Sequence, residues 1–188
     1  MRRDIVWEWL DRPGLEHLAL EVGPDAVRAS GLVVVQLGPE PLRVAYDVAL
    51  DGTWRFERAR LIVEGRGTST ALAIEHAADG RWTVDGRERP DLADCVDIDI
   101  MASPFTNSLP IHRLDLEPGQ PRTLQVAYVR LPELSVEAMA QAYTRLDPGD
   151  PPTAFRYLSC ASGFTADLAV DGDGLVVDYP GIWRRRAG

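Results

Sequence analysis

The chain has 188 residues, a length that fits one domain, and 45% of them are hydrophobic, as in a normally packed core. A formal net charge of -9 argues against a protein that binds nucleic acid or an anionic membrane surface through a basic face. All 20 basic side chains are arginine, and a chain without lysine cannot form a Schiff base or anchor pyridoxal phosphate.

The N-terminal segment has neither the pattern of an export signal nor that of a membrane anchor. Asp4 and Glu8 interrupt its apolar residues, and no small-residue cleavage site follows them. No apolar run approaches the roughly 20 residues that a membrane-spanning helix needs. We therefore expect a cytoplasmic protein without membrane insertion.

Most of the chain alternates apolar and polar residues with the period of two that is typical of strands. Asp-Gly pairs that begin at Asp51, Asp79, Asp85 and Asp171 are typical hairpin turns. Together they predict one mainly β domain over residues 1–188, built as an antiparallel meander. The predicted strands are Glu16–Val22, Val27–Gln36, Leu42–Leu50, Trp54–Glu64, Thr68–Glu75, Arg81–Val84, Val96–Ile100, Thr123–Arg130, Phe155–Ser159, Thr165–Val170 and Leu175–Tyr179.

Two segments have helical features. Ser103 is a suitable N-cap and Pro104 suits the first helical position, so a short helix is expected at about residues 103–113. In Ser135–Leu146 the apolar residues fit helical spacing, and the alternation Val136, Ala138, Ala140 and Ala142 fits a strand less well. Helix and strand both remain open for this second segment.

The cysteines and the C-terminal arginines carry little chemical signal. Cys95 and Cys160 lie in no metal-binding spacing, so we expect two buried free thiols, with no metal and no cofactor. The run Arg184–Arg186 predicts a solvated tail, with contact to an anionic headgroup as the alternative.

Asp97 and Asp99 lie two residues apart on a predicted strand and therefore share one face of it. Paired carboxylates can act as acid and base, and sheet pairing could bring His112 close to them. This constellation makes a hydrolase one hypothesis. A solvated or arginine-paired strand face is the simpler explanation, because no convincing nucleophile accompanies the three residues.

Aromatic residues recur beside arginines on or near the predicted strands. Aromatic faces stack on sugars, and arginine binds phosphates and other planar groups in a bidentate manner. A concave sheet that carries such residues could hold a polar headgroup while apolar neighbours accept a tail. The candidate ligand-binding residues of this kind are Trp54, Arg55, Arg113, Tyr128, Tyr143 and Tyr157, together with Asn107 and His112.

Asn107 is the only asparagine in the chain, and it lies within the segment Ser103–Pro110. Its amide could orient a ligand headgroup. It could instead cap backbone groups where Phe105–Pro110 turns. This structural role is slightly favoured over contact with a ligand.

The segment Ser103–Arg113 resembles the SPFTN-x-LPIRR core of the bacterial family of putative glycolipid-binding proteins, although the family pattern has arginine at the position of His112. Further segments resemble other parts of that family and extend the likeness over most of the chain. They are Asp51–Arg55, Gly80–Gly86, Leu92–Asp97, Val126–Val129, Gln141–Tyr143 and Leu175–Gly181.

The resemblance implies a spiral β-roll, in which a long antiparallel sheet wraps around one short helix, and it implies a homodimer. It also implies binding of a glycolipid or another amphiphile. A binding protein is therefore favoured over an enzyme. A structural or regulatory homodimer whose groove is filled by its own helix is the first alternative, and the hydrolase that uses Asp97, Asp99 and His112 is the second.

Overall fold

The alternating segments form a single sheet of 15 strands in the computed structural model, which describes residues 1–65 and 67–188. The strands of the first half are β1 (Arg2–Trp9), β2 (Gly14–Val22), β3 (Ala26–Gln36), β4 (Pro41–Asp51), β5 (Phe56–Gly65), β6 (Thr68–His76), β7 (Trp82–Val84) and β8 (Arg87–Glu88). Those of the second half are β9 (Cys95–Ile100), β10 (Pro121–Arg130), β11 (Ser135–Arg145), β12 (Ala154–Ser159), β13 (Thr165–Val170), β14 (Val176–Tyr179) and β15 (Trp183–Ala187).

The sheet has two meanders that meet at the first and last strands. Its order is β8-β7-β6-β5-β4-β3-β2-β1-β15-β14-β13-β12-β11-β10-β9. All neighbouring strands are antiparallel except β9 and β10, which are parallel. A parallel pair requires a crossover, and the helical segment lies in that connection.

The helical segment between β9 and β10 confirms the prediction for residues 103–113. It consists of a 3-10 helix, Pro104–Asn107, and the helix α1, Ser108–Arg113. A short 3-10 helix also precedes β9, at Pro90–Leu92. As expected for an N-cap, Ser103 accepts a hydrogen bond through Oγ from the Phe105 N–H at 3.2 Å.

The sheet wraps around this helical segment. Ser103 hydrogen-bonds Glu16 on β2, while Asn107 accepts a hydrogen bond from Tyr143 on β11, in the other half of the sheet. Phe105 and Leu109 are fully buried in the core. A curved sheet that contacts one helix from both halves confirms the expected mainly β fold and buries the apolar side chains of the helix.

Several strands differ from prediction for physical reasons. Ser135–Arg145 is a strand because it pairs with β10 from Ser135 to Thr144 and with β12 from Gln141 to Arg145. This tertiary pairing overrides its helical spacing. The predicted solvated tail is instead strand β15, which pairs with β1 and β14, and its three arginines form ion pairs with Asp178, Asp171 and Glu8. β1 and β8 were not among the predicted strands.

Two further expectations were wrong in detail. Trp54 was predicted to begin a strand, but it lies in the β4–β5 turn with a φ of 64°. Cys95 is buried as predicted, whereas Cys160 is exposed; neither forms a disulfide. In residues 1–65 and 67–188, no helix is long and apolar enough to cross a membrane.

Candidate functional site

A cleft of about 550 Å³ opens beside the N-terminal end of the helical segment, on the concave face of the sheet. We call it the aromatic cleft. Its volume lies within the range typical of ligand-binding pockets. The residues that line it are Trp9, Asp11, Arg12, Asp99, Ile100, Met101, Ser103, Pro104, Asn107, Tyr128, Arg130, Met139, Tyr157, Ser159, Ala161, Ser162, Phe164, Tyr179, Ile182 and Trp183.

One wall of the aromatic cleft is a cluster of three rings. The centroid of Tyr157 lies 6.3 Å from that of Phe164 and 6.1 Å from that of Tyr179. The Phe164 and Tyr179 centroids are 6.4 Å apart. Phe164 is 42% exposed, although large apolar residues are usually buried. Phe164 thus presents its ring to solvent, while the buried Tyr157 and Tyr179 support it from behind.

A second aromatic group lies where the two meanders join. The rings of Trp9 and Trp183 have centroids 4.5 Å apart. Arg12 places its guanidinium carbon 4.6 Å from the centroid of Trp9. Both indoles belong to the hydrophobic core, so this part of the cleft is firmly supported.

Asp99 supplies a carboxylate to the aromatic cleft. Its Oδ2 accepts a hydrogen bond from Gln141 Nε2 at 2.6 Å, and its Oδ1 accepts one from the Thr106 hydroxyl at 2.9 Å. Burial raises the pKa of Asp99, and these two hydrogen bonds oppose the rise. Tyr128 is its register neighbour on β10, and burial, with the nearby Asp99 charge, raises the pKa of Tyr128 to about 12.

The arginines of the aromatic cleft already have acidic partners. Arg12 contacts both carboxylate oxygens of Asp11, at 3.0 and 3.1 Å. Arg130 forms an ion pair with Glu137. Among the charged side chains that line the cleft, Asp99 is the one without an ion-pair partner in the described part of the chain.

A buried polar network supports the cleft from below. The Tyr46 hydroxyl and the Ser103 hydroxyl both donate to Glu16 Oε1, the latter at 2.7 Å. Glu16 Oε2 is buried and has no hydrogen-bond partner among the described residues. Burial raises the pKa of Glu16 to about 8 against the opposing effect of the two hydrogen bonds.

Four of the predicted binding residues belong to the aromatic cleft or support it. Asn107, Tyr128 and Tyr157 line it. Tyr143 is buried, packs edge-on against Tyr157, and donates its hydroxyl to Asn107 Oδ1 at 2.9 Å. Asn107 Nδ2 donates to the Pro104 carbonyl at 3.3 Å, so its amide also has the backbone-capping contact considered from the sequence.

The other four predicted binding residues lie elsewhere. Trp54 stacks on His112 with ring centroids 3.6 Å apart, and His112 Nε2 lies 2.8 Å from the carbonyl oxygen of Asp173. Burial lowers the pKa of His112, although solvent still reaches part of the residue. Arg55 and Arg113 line a separate depression with His76, near the β4–β5 turn.

The residues proposed for a hydrolase have separate partners. Arg113 binds the fully buried Asp97 with two hydrogen bonds, of 3.2 and 2.6 Å. Asp99 binds Gln141 and Thr106, and His112 meets a backbone carbonyl. The structure therefore does not assemble Asp97, Asp99 and His112 into one site. Nor, within residues 1–65 and 67–188, do three His, Cys, Asp or Glu side chains gather to hold a metal ion.

Sequence reasoning missed several residues of the aromatic cleft. Trp9, Phe164 and Tyr179 were not selected because each lies in a segment of ordinary strand or turn composition, and Trp183 stood out only as a ring beside Arg184. The alternation of Trp7 and Trp9 was an available signal, since two tryptophans on one strand face are unusual. Bringing strands β1, β12, β14 and β15 together requires the sheet order, which no local pattern reveals.

Comparison with known proteins points to one family. The family model described as "Putative glycolipid-binding" matches residues 4–185. The crystal structure of a DUF1089 family protein from Pseudomonas aeruginosa is similar, with 34% sequence identity and a TM-score of 0.80 over 91% of this chain and 92% of that one. None of the curated proteins matches this chain.

Proposed function

This chain belongs to the family of putative glycolipid-binding proteins, and we propose on that premise that it binds a glycolipid-like amphiphile in the aromatic cleft. The ligand's sugar face stacks on the rings of the cleft, and its tail lies over neighbouring apolar side chains. Asn107, Tyr128 and Tyr157 contact the headgroup. Tyr143 holds Asn107 in place.

The aromatic wall, with the exposed ring of Phe164 at its surface, carries this proposal. Tyr157, Phe164 and Tyr179 support one another and face a cleft of about 550 Å³. Aromatic rings with a polar edge suit the mixed apolar and hydroxyl surface of a sugar. Hydroxyl and amide groups lie within the same cleft, in Ser159, Asn107 and the tyrosines.

The apolar part of the aromatic cleft suits a hydrocarbon tail. Met101, Met139 and Ile182 line it and are only partly buried by the protein itself. Methionine adapts its shape to irregular partners. Each methylene that leaves water contributes about 0.8 kcal/mol, from which the cost of ordering the tail must be subtracted.

Native mass spectrometry of freshly purified protein, with lipid extraction from the same sample, tests the proposal directly. We expect a stoichiometric amphiphile that is lost on denaturation. For an added ligand, dodecyl maltoside below its micelle concentration can be titrated while the tryptophan fluorescence, to which Trp9 and Trp183 of the cleft contribute, is recorded. A clean apo mass together with no response to dodecyl maltoside would contradict the proposal.

A matched pair of variants locates the binding site. Phe164→Ala removes an exposed ring from the aromatic cleft, and we expect it to weaken dodecyl maltoside binding several-fold. Leu15→Ala removes an exposed apolar side chain from β2, outside the cleft, and should bind as the wild type does. If the two variants bound dodecyl maltoside with equal affinity, the binding site would lie outside the aromatic cleft.

A structural homodimer that holds no ligand is the second candidate. It is favoured by one observation, that Phe105 and Leu109 of the helical segment already fill the centre of the roll. Exposed Leu15 and Val34 lie side by side on β2 and β3 and offer a small apolar contact. Sedimentation velocity over a range of concentrations tests for the dimer, and a monomer at high concentration would refute it.

Cytoplasmic residence remains a prediction from the sequence.

A further inference from the structure

The polar groups of the aromatic cleft bear on which headgroups it accepts. We infer that the cleft selects a neutral, hydroxyl-rich headgroup over an anionic one, and that Asp99 is the residue that determines this specificity. This inference rests on the proposed function and deepens it. It concerns the headgroup alone and leaves the tail unspecified.

The balance of charge is the first argument. The guanidinium groups of Arg12 and Arg130 are neutralised by Asp11 and Glu137. The hydrogen bonds from the Gln141 amide and the Thr106 hydroxyl favour the ionised form of Asp99 against the rise in pKa that burial causes, and neither donor carries a compensating charge. A phosphate or sulfate in the cleft would therefore meet an uncompensated negative charge at short range, in surroundings that screen it poorly.

The hydrogen-bonding capacity of Asp99 is the second argument. Each of its carboxylate oxygens accepts one hydrogen bond within the protein. An ionised carboxylate offers about four acceptor positions, so capacity remains for ligand hydroxyls. Adjacent hydroxyls on a sugar ring supply such donors, whereas a phosphate diester supplies none.

The orientation of Asp99 is fixed by residues behind it. Gln141 is almost completely buried on β11, and Thr106 belongs to the 3-10 helix at the start of the helical segment. They hold the two oxygens from different sides. We regard them as positioning residues, because an acceptor held in place loses less entropy when a hydroxyl binds.

The ring spacing argues against a cationic headgroup enclosed by aromatic faces. The centroids of Tyr157, Phe164 and Tyr179 are 6.1 to 6.4 Å apart. Rings so close contact one another and leave no room for a quaternary ammonium between them. They form a wall on which a sugar can stack, not a cage.

Three amphiphiles with the same dodecyl tail test the inference. Dodecyl maltoside carries neutral hydroxyls, dodecyl phosphate is anionic, and dodecyl phosphocholine has a quaternary ammonium and no hydroxyls. Each is titrated below its micelle concentration by isothermal calorimetry. We expect the wild type to bind dodecyl maltoside at least tenfold more tightly than either of the others.

Asp99→Asn should remove the discrimination. An asparagine can still accept from Gln141 and can donate to the Thr106 oxygen, because the Thr106 hydroxyl has the Ser103 carbonyl as a second acceptor at 3.2 Å. We expect dodecyl maltoside to bind roughly tenfold more weakly and dodecyl phosphate to bind more tightly. Asp94→Asn removes one exposed negative charge just before β9, outside the cleft and its ion pairs, and it should leave the dodecyl maltoside affinity unchanged.

The outcomes separate this inference from the proposed function. If no dodecyl amphiphile binds, the proposed function fails. If all bind but dodecyl phosphate binds as tightly as dodecyl maltoside, the cleft is a ligand site and the headgroup inference is overturned. The comparison of ligands on the wild type decides this even if Asp99→Asn does not fold. Equal loss of maltoside binding in Asp99→Asn and Asp94→Asn would also overturn the role of Asp99.

Discussion

Glu16 links the stability of the protein to pH through a single buried carboxyl. Its pKa rises from 4.5 to about 8 because burial disfavours the ionised form. Below pH 4.5 the carboxyl is protonated in both folded and unfolded chains. Between pH 4.5 and 8 the unfolded chain ionises while the folded chain keeps its proton, so this residue's contribution to stability falls as the pH rises.

We expect Glu16→Gln to remove this pH dependence. The amide preserves an acceptor for Tyr46 and Ser103 and does not ionise. Since each pKa unit corresponds to about 1.4 kcal/mol, the variant should gain a few kcal/mol relative to the wild type between pH 5 and 8. Urea unfolding at a series of pH values measures the difference. If the free energies of unfolding of the two proteins changed with pH in parallel, Glu16 would be ionised in the folded state.

Asn107 has a structural contact that a ligand-binding role alone would not require. Its Oδ1 accepts the hydroxyl of the buried Tyr143, and an unpartnered buried hydroxyl costs about 1 to 3 kcal/mol. Asn107→Ala should therefore lower the melting temperature as well as weaken binding. Tyr143→Phe removes the same hydrogen bond without orphaning a donor and should cost less stability. Lost binding at an unchanged melting temperature in Asn107→Ala would refute the structural role.

The alternation of apolar and polar residues predicted most strands of the sheet, because every second side chain of a strand faces the core. They also predicted the helical segment, since Ser103 and Pro104 carry the local signals of a helix start. The strand Ser135–Arg145 could not be assigned, because its partner strands decide its conformation. The aromatic cleft was only partly predictable for the same reason: it is built from strands distant in sequence.

The turn between β4 and β5 depends on close contact with the turn between β2 and β3. A Cβ at Gly52 would collide with the backbone carbonyl oxygen of Pro24, so only glycine fits there. Within this turn Trp54 has a left-handed backbone conformation, and its ring stacks on His112 at the end of α1. Gly52 thus allows the turn to reach the helical segment at the end opposite the cleft.

We expect Gly52→Ala to destabilise the protein by about 1 to 3 kcal/mol, since a backbone contact cannot relax as a side chain does. Gly38 is the matched control, because a Cβ there would have no heavy atom within 4 Å. Gly38→Ala should be neutral or slightly stabilising. Thermal unfolding by circular dichroism compares the two. Equal melting temperatures would mean that the two turns can separate without cost.

At the scale of the whole molecule, β15 joins the two meanders. It pairs with β1 on one side and with β14 on the other, so the first and last strands of the chain complete the sheet together. Trp183 packs against Trp9 across this junction with their rings tilted by 32°, and Arg185 donates to the carbonyls of Leu175 and Val176. Such long-range pairing forms only after both ends of the chain have been brought together.

A chain that ends at Ile182 lacks this junction, and we expect it to lose cooperative unfolding. Both β1 and β14 would become sheet edges inside the molecule, and the core would lose the buried Trp183. The control is Arg184→Ala with Arg186→Ala in the full chain, which removes two exposed ion pairs worth at most about 1 kcal/mol each. Calorimetry distinguishes the two proteins. If the shortened chain melted cooperatively at the wild-type temperature, the two meanders would be independently stable and the roll would not depend on its closure by β15. Because Trp9 and Trp183 also line the aromatic cleft, the shortened chain should at the same time lose its response to dodecyl maltoside.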